Sequence, residues 1–120
     1  MVVGMSDGKR YVLNTLIMPC SAHYFILACR QIKLEQAREW VKQGDFISAV
    51  GHESTAKLLS ELLGVEIKQN RVFVDMELWD EALAIQFLER IPEGKVLSKE
   101  ELEELYNKGK IVFRLIKRIL

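Results

Sequence analysis

The fold of this chain is constrained most by a short apolar run that breaks at a glycine and opens into a helix. Residues 46–50 are predicted as a buried strand, Gly51 ends it, and residues 54–63 follow with leucines at helical spacing. Gly64 suits the left-handed position that closes a helix. A strand followed directly by an amphipathic helix is typical of α/β proteins, in which helices cover a sheet.

The remaining pattern extends this prediction along the chain. Ser98 and Glu101 form a capping box, which predicts the start of a further helix. Residues 82–88 are expected to pair with, or lie near, residues 71–76, and the charges of residues 111–119 suit an edge strand or an interface. The order predicts one α/β domain over residues 1–120, with a mixed sheet and about three helices over one or both faces. The other strands are predicted at residues 11–14, 24–32, 71–76, 82–88 and 111–119, and the other helices at residues 34–43 and 98–106.

Composition excludes several classes of function. Seventeen basic and seventeen acidic residues cancel to a net charge of zero, which argues against general binding to duplex DNA. Residues 11–29 carry no formal charge, but Pro19 would break a membrane-spanning helix, so we expect no membrane segment. Cys20 and Cys29 lack metal-ligand spacing and are expected to be reduced thiols of a cytoplasmic protein.

The turn at residues 51–55, with the sequence GHEST, is a candidate phosphate-binding site. The first turn of a helix leaves backbone N–H groups unpaired and carries a partial positive charge, so it attracts anions. Histidine is the side chain that exchanges a proton near neutral pH. On the turn alone, an alternative stays open: His52 as a polar turn residue and Ser54 as the helix N-cap.

Further segments follow in order: LLG at 62–64, QNRVFV at 69–74, DEALAIQ at 80–86 and RIPEGKVLS at 90–98. Taken with GHEST, they closely resemble the small ring nucleases of viruses and phages, anti-CRISPR enzymes that destroy cyclic tetra-adenylate. The resemblance is dense over residues 47–113, thinner over 11–14 and absent over 17–44. It implies a homodimeric phosphodiesterase that needs no metal or cofactor, releases linear adenylates with 2′,3′-cyclic phosphate ends and switches off type III CRISPR signalling in the host cytoplasm.

The resemblance also implies roles for individual residues. His52 matches the general acid of the family, Arg90 the arginine that steadies the phosphate, and Glu93 a glutamate that orients one of these two groups. A proton donor of this kind assists the departure of the 5′-oxygen when the ribose 2′-hydroxyl attacks the adjacent phosphate. The substrate-binding matches are Asn14, Ser54, Arg71 and Gln86.

Each of these residues also has a structural alternative. Asn14 would cap a turn, Arg71 and Arg90 would be surface charges, and Glu93 would belong to the Pro-Glu-Gly turn at residues 92–94. Gln86 shares the parity of Ala82 and Ala84 along its strand, where small neighbours leave room for a ligand.

One position departs from the family pattern. Ile17 stands where several relatives carry a serine that touches the reacting ribose. A protein that binds the cyclic nucleotide without cutting it, as a sponge or sensor, is therefore an alternative. A viral protein that binds DNA or a host factor through residues 111–120 is another. His23, in an apolar stretch, is expected to play no catalytic part.

Overall fold

Five strands and three helices form within the described part of the chain. The computed structural model describes residues 8–16, 19–91 and 96–120. In chain order the elements are β1 (Arg10–Leu13), β2 (Leu27–Ile32), α1 (Leu34–Lys42), β3 (Ile47–Ser48), α2 (Glu53–Leu63), β4 (Glu81–Phe87), α3 (Lys99–Asn107) and β5 (Ile111–Arg118).

The strands form one mixed sheet in the order β2-β5-β4-β1-β3. β1 is parallel to both of its neighbours, with Tyr11 opposite Ile47 on one side and Ala82 on the other. β5 is antiparallel to β4 and to β2. Because β1, β3 and β4 run in the same direction, the loops that leave their carboxyl ends emerge at one edge of the sheet. The predicted α/β domain with a mixed sheet and three helices is confirmed.

All three helices pack against the same face of the sheet. Their buried residues join Val12, Leu83 and Phe113 of the strands in one apolar core. Arg38 of α1 connects the helices: its Nε donates to the Leu62 carbonyl at 3.0 Å, and its Nη2 lies 3.0 Å from a carboxylate oxygen of Glu103 in α3. The helix layer therefore holds both an apolar interior and polar connections between helices.

The opposite face of the sheet is covered by a chain segment instead of helices. We call residues 72–76 the covering segment, since Val74 and Met76 pack into a second apolar cluster on this face. The predicted strand at residues 71–76 is wrong, and the segment does not pair with β4, whose partners are β1 and β5. The alternative that it lies near β4 is correct, since Val74 and Met76 share a cluster with residues of β4. Alternating burial does occur, but it reflects packing across the face of the sheet and not a place within it. The sheet residues of this cluster are Tyr11, Leu13, Ala82, Ala84 and Ile116.

Most of the other predicted boundaries are correct within a few residues. The capping box of α3 is confirmed, since the Glu101 amide donates to the Ser98 hydroxyl at 3.1 Å and the Ser98 amide donates to a Glu101 carboxylate oxygen at 3.1 Å. α2 begins earlier than predicted, and His52, not Ser54, is its N-cap. Gly64 has a φ of 76° at the other end of the helix, as expected. β5 lies between β4 and β2, so its charged residues do not protect an edge.

Candidate functional site

Three parallel strands deliver the predicted site residues to a common edge of the sheet. Asn14 directly follows β1, the Gly51-His52 turn comes shortly after β3, and Arg90 comes three residues after β4. Ligands of open α/β sheets bind beyond the carboxyl ends of the strands. The carboxyl ends of β1, β3 and β4 lie together at this edge, because the three strands are adjacent and parallel.

His52 is exposed at the start of α2. Its backbone is extended, with φ −122° and ψ 132°, and its side chain makes no capping hydrogen bond to the helix. The neighbouring carboxylate of Glu53 lies 3.3 Å from the ammonium of Lys57, one turn along the helix. The imidazole is therefore positioned at a helix N-terminus, where a phosphate would meet backbone N–H groups and a proton donor together.

Two side chains form hydrogen bonds to the backbone immediately before this histidine. Arg71 Nε donates to the Gly51 carbonyl at 3.0 Å, and Gln69 Nε2 donates to the same oxygen at 3.2 Å. A Cβ at Gly51 would lie 3.3 Å from the Arg71 Cγ, so glycine lets the arginine chain lie close against the turn. The fold thus brings Arg71 to the turn that carries His52, although the two residues are nineteen positions apart in the sequence.

A polar network behind the turn fixes the end of β3. Asn70 Nδ2 donates to the Ser48 carbonyl at 2.7 Å, and its backbone amide donates to the Val50 carbonyl at 2.8 Å. The buried Ser48 hydroxyl donates to the Lys68 carbonyl at 2.6 Å. Sequence reasoning gave neither Ser48 nor Asn70 a role in the site. A serine within an otherwise apolar strand was the available signal, since a buried hydroxyl needs a partner.

Gln86 is half-buried near the end of β4 on the face away from the helices. Its Oε1 accepts a hydrogen bond at 3.0 Å from Nε of Arg114, which lies on the neighbouring strand β5. The small residues Ala82 and Ala84 precede it on the same face, as predicted. Sequence reasoning missed Arg114, although an arginine in the middle of an apolar strand calls for a polar partner.

Asn14 lines a pocket of about 250 Å³ between the end of β1 and the covering segment. Thr15, Cys20, Ala49 and Phe73 also line this pocket. We call it the Asn14 pocket. It combines an amide, a hydroxyl and an aromatic ring next to the turn that carries His52.

Other predicted residues face different pockets around the same edge. Arg90 is exposed and lines a pocket of about 370 Å³ that reaches Leu97 before α3, Glu101 within it and Lys108 directly after it. Ser54 lines a pocket of about 610 Å³ along the outer side of α2, together with Val96.

The structure does not place the remaining three positions, Glu93, Ile17 and His23, in any of these pockets as far as it describes them. Glu93 and Ile17 lie outside the described residues. His23 is exposed in the loop before β2.

The described residues contain neither a metal-binding cluster nor a membrane-spanning helix. No group of three or more histidine, cysteine, aspartate or glutamate side chains comes together there in a way that would hold a metal ion. No helix in residues 8–16, 19–91 and 96–120 has the length and apolar character needed to cross a membrane.

Fold and site together define a small α/β protein with a histidine-containing polar edge at the carboxyl ends of its parallel strands. The chain belongs to the STIV B116-like family, whose model matches residues 10–118. The match includes every described residue that sequence reasoning assigned to the site.

Viral and bacterial proteins are among the relatives. The chain is 38% identical to uncharacterized protein 26 of Sulfolobus islandicus filamentous virus over 100 residues, covering 81% of this chain and 85% of that protein. It is 32% identical to uncharacterized protein YddF of Bacillus subtilis over 109 residues, covering 89% and 94%. The solved structure of B116 of Sulfolobus turreted icosahedral virus superposes with a TM-score of 0.83 at 32% identity, covering 91% of this chain and 98% of that one.

Proposed function

We propose that this protein is a ring nuclease, a phosphodiesterase that cleaves cyclic tetra-adenylate without a metal ion. The observation that carries the proposal is the exposed His52 at the N-terminus of α2, with Arg71 bonded to the carbonyl of the preceding glycine. The two residues belong to separate segments of the resemblance to ring nucleases. Their convergence on one turn supplies a proton donor and a cation beside a helix terminus that suits a phosphate.

The proposed chemistry uses the substrate's own nucleophile. The ribose 2′-hydroxyl loses its proton to water and its oxygen forms a bond to the adjacent phosphorus, while the bond from phosphorus to the 5′-oxygen breaks. His52 donates a proton to the departing 5′-oxygen, which would otherwise leave as a poor alkoxide. The products are linear adenylates with 2′,3′-cyclic phosphate ends, so no water is added across the bond.

Two arginines have separate tasks in this proposal. Arg90 stabilises the charge that builds on the phosphorane oxygens, and Arg71 binds a phosphate of the ring beside the His52 turn. Gln86, held by Arg114, binds the nucleotide from β4, while Asn14 and Ser54 bind it from the loop after β1 and the start of α2. Glu93 is assigned to orienting Arg90 or His52.

We further propose that the protein acts as a homodimer in the host cytoplasm, where it switches off type III CRISPR signalling. A ring of four identical nucleotides has a two-fold axis, and so does a dimer with a self-complementary interface. Coincident axes place two equivalent phosphates beside the two copies of His52. Positioning by the dimer then supplies the geometry for attack at both sites.

Incubation of the pure protein with labelled cyclic tetra-adenylate, with and without excess EDTA, tests the proposal. We expect linear products with cyclic phosphate ends at the same rate in both conditions. The His52→Ala variant, purified in the same way, measures cleavage by contaminating nucleases. Loss of cleavage in EDTA and recovery with manganese would contradict the metal-free mechanism. Tight binding with no cleavage by the wild type would favour a sponge or sensor.

A further inference from the structure

Phe73 is a large apolar side chain left in solvent next to the proposed site. Its exposed fraction is 86%, and it lines the Asn14 pocket. A single exposed apolar residue is common in proteins and by itself indicates nothing. What distinguishes Phe73 is the way in which its neighbours prevent the ring from turning inward.

The residues around Phe73 hold the covering segment against the sheet. Val74 and Met76 are 8% and 0% exposed and belong to the apolar cluster on this face. Asp75 accepts hydrogen bonds from the Ser21 amide at 3.0 Å and from the Ser21 hydroxyl at 2.6 Å. With the segment fixed at these points, the Phe73 ring stays on the outer side.

Arg71 and Phe73 are expected to project on the same outer side of the chain. The residues alternate in burial from Phe73 to Met76, as they do in extended backbone, where every second side chain faces the same way. Two residues of extended chain span about 6.6 Å. This distance is comparable to the separation of the phosphate and the base within one nucleotide.

We propose that Phe73 stacks on one adenine base of the cyclic nucleotide while Arg71 binds the adjoining phosphate. This inference rests on the proposed function. The Asn14 pocket, at about 250 Å³, is below the range of about 300–1000 Å³ that encloses a whole drug-sized ligand, and therefore suits one base and not the full ring. Its amide and hydroxyl groups face the edge of the base, and the aromatic ring covers a face. Base stacking on an aromatic side chain contributes affinity whatever the base, so Phe73 adds binding strength rather than base identity.

The test measures binding of cyclic tetra-adenylate in a His52→Ala background, so that cleavage does not consume the ligand. Phe73→Ala and Phe73→Leu are both expected to raise the dissociation constant, by about 5- to 150-fold for each stacked base. Phe73→Trp is expected to retain affinity because it retains an aromatic face. Leucine keeps the apolar bulk and lacks that face, so the Leu variant separates stacking from simple apolar contact.

A matched control and a spectroscopic signature complete the experiment. Tyr24, 74% exposed in the loop before β2, is a second exposed aromatic residue, and Tyr24→Ala should leave the dissociation constant unchanged. NMR of the bound ring should show adenine protons shifted upfield by the Phe73 ring, and the Leu variant should lose this shift.

The outcomes separate the two proposals. No binding of the ring by the parent His52→Ala protein, with no cleavage by the wild type, would remove the proposed function. Binding by the parent with equal affinity in the Ala and Leu variants would overturn the stacking inference alone. Phe73→Ala that converts a dimer to a monomer in sedimentation would also overturn it, since the ring would then pack against the second copy.

Discussion

At the scale of single residues, Arg90 and Arg71 differ in what holds them. Arg71 has its Nε bonded to the Gly51 carbonyl, whereas Arg90 is exposed in the loop after β4. For Arg90→Lys we expect the cleavage rate to fall by about tenfold or more, with substrate affinity changed by less than about threefold. Lysine keeps the charge and loses the planar fork that fits a phosphorane. Single-turnover kinetics at varied enzyme concentration would measure the two quantities separately.

The control for this substitution is Arg30→Lys, an exposed position on β2. It makes the same chemical change on the strand at the far side of the sheet from β3, so both rate and affinity should stay at the wild-type level. An unchanged rate in Arg90→Lys would make Arg90 an ordinary surface charge.

Asp75 offers a prediction on pH. Hydrogen bonds from the Ser21 hydroxyl and amide favour the carboxylate and lower the pKa of Asp75 below its ordinary value. Because the folded-state pKa is the lower one, this contribution to stability is present above the ordinary aspartate pKa and is lost as the pH falls through the folded-state value. We expect Ser21→Ala to raise the pKa of Asp75 in an NMR titration and to flatten the acid limb of the stability profile. An unchanged Asp75 titration in that variant would contradict the assigned cause.

At the scale of elements, the connection into β4 depends on one buried carboxylate. Asp80 is 3% exposed, and its two oxygens accept hydrogen bonds at 2.8 Å from the Lys9 and Glu77 amides. It therefore ties the start of β1 to the turn before β4. Asp80→Ala should lower the free energy of unfolding by about 2–4 kcal/mol, since it strands two backbone donors.

Urea denaturation would measure this change, with Glu77→Ala as the matched control. The Glu77 carboxylate is exposed and lies 3.8 Å from the Lys9 ammonium, a pair that contributes little. Equal destabilisation by the two substitutions would show that the Asp80 bonds do not hold the connection.

The sequence predicted the parts of this fold that local chemistry determines. The order of strand, glycine turn and helix over residues 46–64 is as predicted, and so is the capping box that begins at Ser98. The strand itself is shorter than the predicted buried strand, since β3 is two residues long and lies at the sheet edge with Ile47 exposed. Capping and helix-ending glycines depend on residues a few positions apart, so their signals survive in a single chain. The placement of Gln86 on the same face of β4 as Ala82 and Ala84 was also predictable, because it depends only on alternation along one strand.

The wrong predictions concern features that depend on residues far apart in the sequence, which a local pattern does not reveal. The alternation of apolar residues in the sequence of residues 71–76 indicates one side that faces apolar groups, and burial does alternate from Phe73 to Met76. This alternation does not reveal whether backbone partners lie beside the segment. The segment packs across the sheet, so the strand prediction failed. Serine favours the N-cap, which made Ser54 the alternative for that position, yet α2 begins at Glu53 and His52 is its N-cap. The hydrogen bonds from Arg114 to Gln86 and from Gln69 to Gly51 join residues far apart in the sequence. A local sequence pattern does not reveal such pairs.

At the scale of the whole molecule, the proposed dimer predicts the order of products. Each subunit would cut one bond, so the wild type should form a linear tetranucleotide early and then convert it to dinucleotides. A mixed dimer with one wild-type and one His52→Ala subunit should make the first cut at about half rate and accumulate the tetranucleotide. Tandem affinity tags would isolate the mixed dimer, and chromatography over time would resolve the products. Full activity from a monomer would remove the symmetric model.

The placement of the covering segment makes the two thiols of this chain unequal chemical probes. The Cys20 thiol lies 3.5 Å from the Met76 carbonyl and beside the Asn14 pocket, whereas Cys29 is exposed on β2. Alkylation requires access of the reagent to sulfur, so Cys29 should react at a constant rate, whereas a ligand in the Asn14 pocket should slow the reaction of the half-buried Cys20. Intact-mass kinetics on the native chain would then report occupancy of the pocket against an internal reference, without an engineered label.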